Sequence, residues 1–280
     1  MGEKVLTIGH SPDADDAFMF YALTHDKILI SGIRFEHILT DIETLNKRAM
    51  QKDAGEDSLL DVTAASLHAY PYIAGRYQIL SCGASMGKGY GPIVVSRVKQ
   101  DLKNAVIAIP GEYTSAFLAL KIYIGDFKYR VMPFDKIMPA VKAGKVGAGL
   151  IIHEGQITYA DEGLDIAVDL GKWWLEKTGL PLPLGINLVK RSLEEGLKHR
   201  INQAIKDSIA YGFSHEEEAM TYAAKYSRGL DMRRVKQFAL MYVNDYTLEP
   251  GKEGRSAVQE FIEQAVKLKL VPDVKIEFIS

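Results

Sequence analysis

The chain has 280 residues, 47% of them apolar and 25% charged, with a net charge of −2 and both signs mixed along its length. Such a balance carries no electrostatic footprint for nucleic acid; the nearest basic clustering, Arg228 to Lys236, is interrupted by Leu230, Asp231 and Met232 and reads as a solvated helix start. The single cysteine, Cys82, excludes an intramolecular disulfide and every Cys-rich zinc site.

No apolar run approaches the ~20 residues that span a bilayer. The start, Met1-Gly2-Glu3-Lys4, leads straight into the strand-like Val5-Leu6-Thr7-Ile8 without the pattern of a signal peptide. The expected location is therefore cytoplasmic, away from membranes. At roughly 150 residues per domain the length predicts two lobes.

Taken in order, the apolar runs predict a strand at 5–9, a helix over 13–25, an extended segment at 33–40, a helix at 43–51 and a strand at 59–63. About a hundred residues on, the same order returns: strand 105–109, helix 114–124, extended 129–133, helix 136–143 and strand 147–152. Each copy is a β-α-β-α-β unit, and short apolar strands alternating with helices imply parallel pairing. Two similar extended segments, 91–97 and 185–191, bracket the second copy as crossing strands would. The expected fold is α/β and two-lobed, each lobe a mixed, mainly parallel sheet flanked by helices, with a ligand cleft between them. Residues 1–95 and 188–280 are expected to form the first lobe and 96–187 the inserted second. The remainder reads as helical. Leu193, Leu197, Ile201 and Ile205 mark one apolar face, Ser214 with Glu217 reads as a capping box, and Val258, Phe261, Ile262, Ala265 and Val266 trace a last helix expected on the first lobe.

In open parallel sheets, ligands bind beyond the carboxyl ends of the strands, where helix amino termini favour anions. Four segments occupy such places: 10–16, 63–68, 110–115 and 152–156. In the first, Ser11 and Asp13 read either as an ordinary helix start or as groups facing a ligand. In the second, Ala64 and Ala65 let a ligand approach the backbone, and Ser66 either caps a helix or donates to a carboxylate. In the third, Thr114 and Ser115 open a helix behind Pro110-Gly111, an anion-binding arrangement. In the fourth, His153 ends a strand; an imidazole titrating near neutrality is a natural proton acceptor in a dry site.

Other patterns resolve into ordinary structure. A zinc-protease motif from His153-Glu154 fails because position 157 is isoleucine. Asp13, Asp15 and Asp16 lack the spacing of a calcium loop, so no metal site is expected. The glycine-rich 83–91 fits neither phosphate-loop nor dinucleotide spacing and reads as tight turns. Trp173-Trp174 reads as a packed helix, and Glu216-Glu217-Glu218 as a helix's first turn.

Together the segments His10-Ser11-Pro12-Asp13-Ala14-Asp15-Asp16, Asp61-Val62-Thr63, Ser66-Leu67-His68-Ala69-Tyr70, Pro110-Gly111-Glu112-Tyr113-Thr114-Ser115, Ile152-His153-Glu154-Gly155 and Asp169-Leu170-Gly171-Lys172-Trp173-Trp174 resemble the 1,4-dihydroxy-6-naphthoate synthases of the futalosine route to menaquinone. The resemblance covers nearly the whole chain. It implies a fold like that of type 2 periplasmic binding proteins. It also implies a carbon–carbon lyase that needs no cofactor, cleaving cyclic dehypoxanthine futalosine, a small anionic substrate with an aromatic carboxylate. His153 takes the place of the family's base, and Ala64, Ala65, Ser66, Thr114 and Ser115 match its substrate-contacting positions. Two alternatives stay open: a chorismate dehydratase of the same route, and a non-catalytic binder of a small carboxylate. The oligomeric state is left open.

Overall fold

The computed structural model describes residues 3–51, 55, 58–98 and 101–279, so Met1 and Gly2 of the amino-terminal stretch lie outside it. The chain divides into two units: Met1–Ser85, Gly185–Gly251 and Val274–Ser280 form the first, Met86–Leu184 and Lys252–Asp273 the second.

The first unit opens with β1 (Lys4–His10), α1 (Ala14–Met19), α2 (Tyr21–Thr24), β2 (Ile33–Leu39), α3 (Ile42–Met50) and β3 (Val62–Ser66). β1 runs parallel to both β2 and β3, with Ile8 opposite His37 on one side and Val62 on the other. α3 starts where Asp41 accepts from the Thr44 N–H at 3.0 Å, and its Leu45 packs with Leu60 and Ala64. Gly9 is needed beneath that cluster, because a Cβ there would lie 2.4 Å from Leu60 Cδ1. Three short elements follow: α4 (Tyr70–Ile73), β4 (Tyr77–Ile79) and β5 (Ser85–Gly87). Turns at Gly83 (φ 77°) and Gly89 (φ 81°) flank β5, as the glycine-rich segment predicts.

The second unit continues with β6 (Ile93–Ser96), β7 (Val106–Ile109), α5 (Ser115–Ile124), β8 (Lys128–Val131), α6 (Phe134–Lys142), β9 (Ala148–Ile151), α7 (Gly155–Thr158), β10 (Asp165–Asp169) and α8 (Leu170–Thr178). Strand β11 (Leu182–Lys190) then carries the chain back to the first unit.

The repeat extends to the sheets. Among the described residues the first runs β2-β1-β3-β11-β4, with β5 pairing β11 off this path, and the second runs β8-β7-β9-β6-β10. In both, the third strand of the repeat pairs antiparallel with one of the two bracketing segments, β11 beside β3 and β6 beside β9. The four other strands of each path point one way. The sheets are thus mixed and mainly parallel. Their central strands β3, β6 and β9 are buried along their whole length.

The chain closes with α9 (Glu195–Ser214), α10 (Glu216–Ala223), α11 (Met232–Tyr242), α12 (Asp245–Leu248) and α13 (Gly251–Lys267). Helices α9 to α11 cover α1 in the first unit, where the buried Phe18 meets Phe213 edge-on at 5.8 Å. No helix among the described residues is long and apolar enough to cross a membrane.

The structure departs from the sequence expectations in several places. The helix expected over 13–25 breaks at Phe20, where the Met19 carbonyl accepts from Ser208 Oγ at 2.7 Å and the Phe20 ring stacks on His10. The strand expected at 59–63 lies at Val62–Ser66, because pairing with β11 continues to Gly185 opposite Ser66 and tertiary pairing outweighs alanine's poor strand propensity. Ser214 forms no capping box: α9 runs through it, and its hydroxyl donates back to the Tyr211 carbonyl at 3.0 Å. The last helix, expected on the first lobe, belongs almost wholly to the second unit. Its Phe261 meets the fully buried Trp174 edge-on at 5.4 Å, and Lys88 reaches Glu253 at 2.8 Å. Trp174 is part of a packed helix, its Nε1 donating to the Pro181 carbonyl at 3.1 Å.

Candidate functional site

In the first unit, β1 and β3 are parallel, so the segment after His10 and the segment around Ser66 emerge at one edge of the sheet. Asp13 sits at the N-cap of α1 with extended backbone (φ −119°, ψ 160°), yet its side chain makes no capping bond. Its carboxylate accepts instead from Ser11 Oγ and, at 2.7 Å, from Arg228 Nη2. Asp16, one turn on, accepts from the Ser11 N–H at 2.6 Å. Burial pushes the Asp16 carboxyl up to about 7; the Ser11 N–H opposes this and the Asp13 charge adds to it. Ser11 and Asp13 are therefore bonded to each other in a buried acidic cluster, and Arg228 is its counter-charge rather than part of a solvated helix start.

His10 closes β1 and lies 2.9 Å from His37 of β2, Nε2 to Nδ1. Burial, with His37 adding to it, holds His10 down at about 3, and burial holds His37 at about 4. Both rings are neutral at neutral pH, one donating to the other.

Ala64, Ala65 and Ser66 lie within β3, not in a loop after it, and all three are buried. Ser66 precedes a short turn of helix at Leu67–Ala69 without capping it by its side chain. Instead the Asn46 amide of α3 clamps it: Asn46 Nδ2 donates to Ser66 Oγ at 3.0 Å, and Asn46 Oδ1 accepts from the Ser66 N–H at 2.8 Å.

In the second unit, β7 and β9 are parallel, so segments 110–115 and 152–156 emerge at one edge of that sheet. Thr114 is the N-cap of α5, accepting from the Phe117 N–H at 3.2 Å while its hydroxyl donates to the Gly111 carbonyl at 2.9 Å. Ser115 begins the helix and donates to the Leu184 carbonyl at 2.5 Å. Glu112 in the same loop accepts from the exposed Tyr129 hydroxyl at 2.6 Å, which fixes the loop against β8.

His153 follows β9 in a left-handed conformation (φ 58°). A non-glycine residue there carries strain of order 1–3 kcal/mol and persists only where the surroundings impose it. The Gln156 N–H donates to its carbonyl at 3.1 Å, and its ring meets Phe134 edge-on at 4.6 Å. His153 is half-buried beside the buried Glu154 at the carboxyl edge of the second sheet.

The structure thus gathers Ser11, Asp13, Ala64, Ala65 and Ser66 at one edge of the first unit, and Thr114, Ser115 and His153 at the corresponding edge of the second. Sequence reasoning missed Arg228, His37 and Asn46. Asn46 left a signal, since it falls on the apolar stripe of Ile42, Leu45 and Ala49. A polar residue on a buried stripe needs a partner. Arg228 left none, being 215 positions from Asp13. Among the described residues no cluster of three or more metal-ligating side chains occurs.

A family model for menaquinone biosynthesis matches residues 6–267. The chain is 40% identical over 263 residues to the 1,4-dihydroxy-6-naphthoate synthase of Thermus thermophilus, covering 94% of each chain. Its fold matches the crystal structure of protein AF1704 of Archaeoglobus fulgidus with a TM-score of 0.90 at 47% identity, over 95% of this chain and 98% of that one. It matches the alkanesulfonate-binding protein SsuA of Xanthomonas axonopodis with a TM-score of 0.69 at 13% identity, over 98% and 96% of the two chains; this likeness concerns the fold alone. The doubled five-strand sheet order is that of a periplasmic-binding-protein-like fold, and with a family match running through nearly all of its length the chain belongs to the menaquinone-biosynthesis family.

Proposed function

We propose that the protein is a 1,4-dihydroxy-6-naphthoate synthase, a lyase that cleaves cyclic dehypoxanthine futalosine to 1,4-dihydroxy-6-naphthoate and a sugar-derived fragment. The observation that carries this reading is the 40% identity to the Thermus thermophilus synthase across 94% of both chains. In this reading His153 is the general base. Its ring takes an acidic proton from the spirocyclic or sugar-derived portion of the substrate, the electron pair left behind drives ring opening with cleavage of the carbon–carbon bond to the fragment, and the imidazolium returns the proton to that fragment. Aromatisation of the naphthalene drives the cleavage. A positioned base contributes about 10²–10⁴-fold.

Substrate contacts are assigned in each unit by itself. Ser66 donates through its hydroxyl, and Ala64 and Ala65 act through backbone groups where small side chains allow close approach. Thr114 and Ser115 present the start of α5, a helix of ten residues whose first N–H groups and dipole favour an anion. Ser11 and Asp13 are assigned to the first-unit part of the site, where β1 and β3 end together. Neither metal nor cofactor enters the scheme, and the reaction is placed in the cytoplasm.

The test is incubation of the pure protein with cyclic dehypoxanthine futalosine, followed by chromatography and mass measurement. Formation of 1,4-dihydroxy-6-naphthoate, lost in His153→Asn with substrate affinity retained, supports both reaction and base. Unchanged turnover in His153→Asn removes the base assignment. An enolpyruvyl product formed from chorismate would move the protein to another step of the same route, and binding without turnover would make it a carboxylate carrier.

A further inference from the structure

Asn187 lies in β11, directly opposite Ala64 of β3, and two residues along the same strand Gly185 lies opposite Ser66. Directly opposed residues of an antiparallel pair share a face, so Asn187 is on the face of the sheet that carries Ala64 and Ser66. The residue is 2% exposed. Its Nδ2 donates to the Gly83 carbonyl at 2.9 Å, which sets the amide's orientation, because the flipped form would oppose two oxygens. Gly83 is the residue that admits the amide: its φ is 77°, and a Cβ there would stand 2.2 Å from Asn187 Nδ2. The Gly83 N–H is held in turn by the Thr247 carbonyl at 2.6 Å.

With the amide fixed, Asn187 Oδ1 is a buried acceptor that has no hydrogen-bond partner among the described residues. Leaving such an atom unsatisfied destabilises a fold, and an apolar side chain of similar shape would avoid the penalty. An acceptor kept under those terms calls for a specific explanation. The neighbouring face is built small. Ala64 is opposite, and Gly185, half-buried, has no side chain, so that Ser85 Oγ stands 3.4 Å from where its Cβ would be.

We propose that Asn187 is a substrate-binding residue of the first unit, its Oδ1 accepting a hydrogen bond from a hydroxyl of the substrate; this rests on the assignment of Ala64 to Ser66 as substrate contacts. The chemistry selects the group. A fixed carbonyl oxygen attracts an O–H donor and repels a carboxylate, so Asn187 reads a hydroxyl-bearing part of the ligand while Ser66 serves the anion. That hydroxyl belongs either to the sugar-derived portion or to the naphthalene ring.

The test uses the full chain. Wild-type turnover of cyclic dehypoxanthine futalosine is established first; its absence overturns the proposed function and Asn187 with it. Asn187→Ala is then compared with the wild type for KM and kcat. It is also compared in a His153→Asn background by calorimetric titration with the substrate and, separately, with 1,4-dihydroxy-6-naphthoate. Urea unfolding without ligand checks the fold. Asn187→Ser, whose hydroxyl stops short of the Oδ1 position, takes its place should the alanine variant not fold. The expected result is a rise in KM and in Kd for the substrate of about tenfold or more, with kcat changed much less. Loss confined to the substrate assigns the hydroxyl to the sugar-derived portion, and equal loss for the product assigns it to the ring. Unchanged affinity for both in a folded variant overturns the proposal and leaves Oδ1 to a buried water.

Discussion

Arg228 Nη2 donates to Asp13 Oδ1 at 2.7 Å across 215 residues of chain, and the Asp13 side chain it meets is 3% exposed. A carboxylate so buried is tolerable as an anion only with such a partner. Breaking a fully buried pair by removing one member typically costs about 3–5 kcal/mol. The Arg228 side chain is 37% exposed, so water screens part of the interaction and the expected loss for Arg228→Ala is about 1–3 kcal/mol. Urea unfolding would show it, and adding Asp13→Asn should restore most of the loss. Independent, additive effects of the two changes would refute the pairing as a stability determinant.

Asp16 gives the fold a pH dependence of unusual sign for a carboxyl. Its pKa is raised from 3.8 to about 7, chiefly by burial. The folded chain then keeps a proton that the unfolded chain has released. Its contribution to stability is fully present below 3.8 and is lost as pH rises through about 7. Asp16→Asn can still accept from the Ser11 N–H. Its stability relative to the wild type should therefore grow between about pH 4 and about pH 8; a constant difference in urea midpoints across that range would refute the assignment.

The histidine pair acts in the opposite direction. His10 and His37 are lowered from 6.5 to about 3 and about 4 by burial. The unfolded chain takes up protons that the folded chain refuses, so stability is complete above 6.5 and falls as pH drops through those values. His37→Gln should flatten the acid limb of the stability curve. NMR titration of the wild-type rings should find both neutral at about pH 5.5; an imidazolium signal from either would contradict the burial argument.

At His153 the backbone itself makes a prediction. A left-handed φ of 58° is free of penalty for glycine and mild for asparagine. His153→Gly relieves strain while giving up the contact with Phe134. The variant should unfold within about 1 kcal/mol of the wild type yet lose the activity proposed above. Marked destabilisation would mean that the ring is held for packing.

The repeat and the polar segments at its strand ends were legible in the sequence because they are local: short apolar runs, helix starts and turn glycines report their own conformation. Thr114 was readable as part of a helix opening, and His153 stood out as a histidine at a strand end. Ser66 was readable as a polar residue but misplaced in a loop, since its strand owes its last residues to β11, which lies far along the chain. The two bracketing segments were visible as a pair, but not as the reversed strand of each sheet.

The sequence alone determined the α/β class, the doubled unit and the polar segments at the strand ends, because hydrophobic period and turn chemistry act over a few residues. Tertiary structure alone decided that Arg228 neutralises Asp13, that Asn46 clamps Ser66, that Asn187 is left with a buried acceptor beside Ala64, and that the last helix joins the second unit through Phe261 and Trp174. Those outcomes depend on which groups lose water together and must satisfy one another, a requirement that sequence distance does not record.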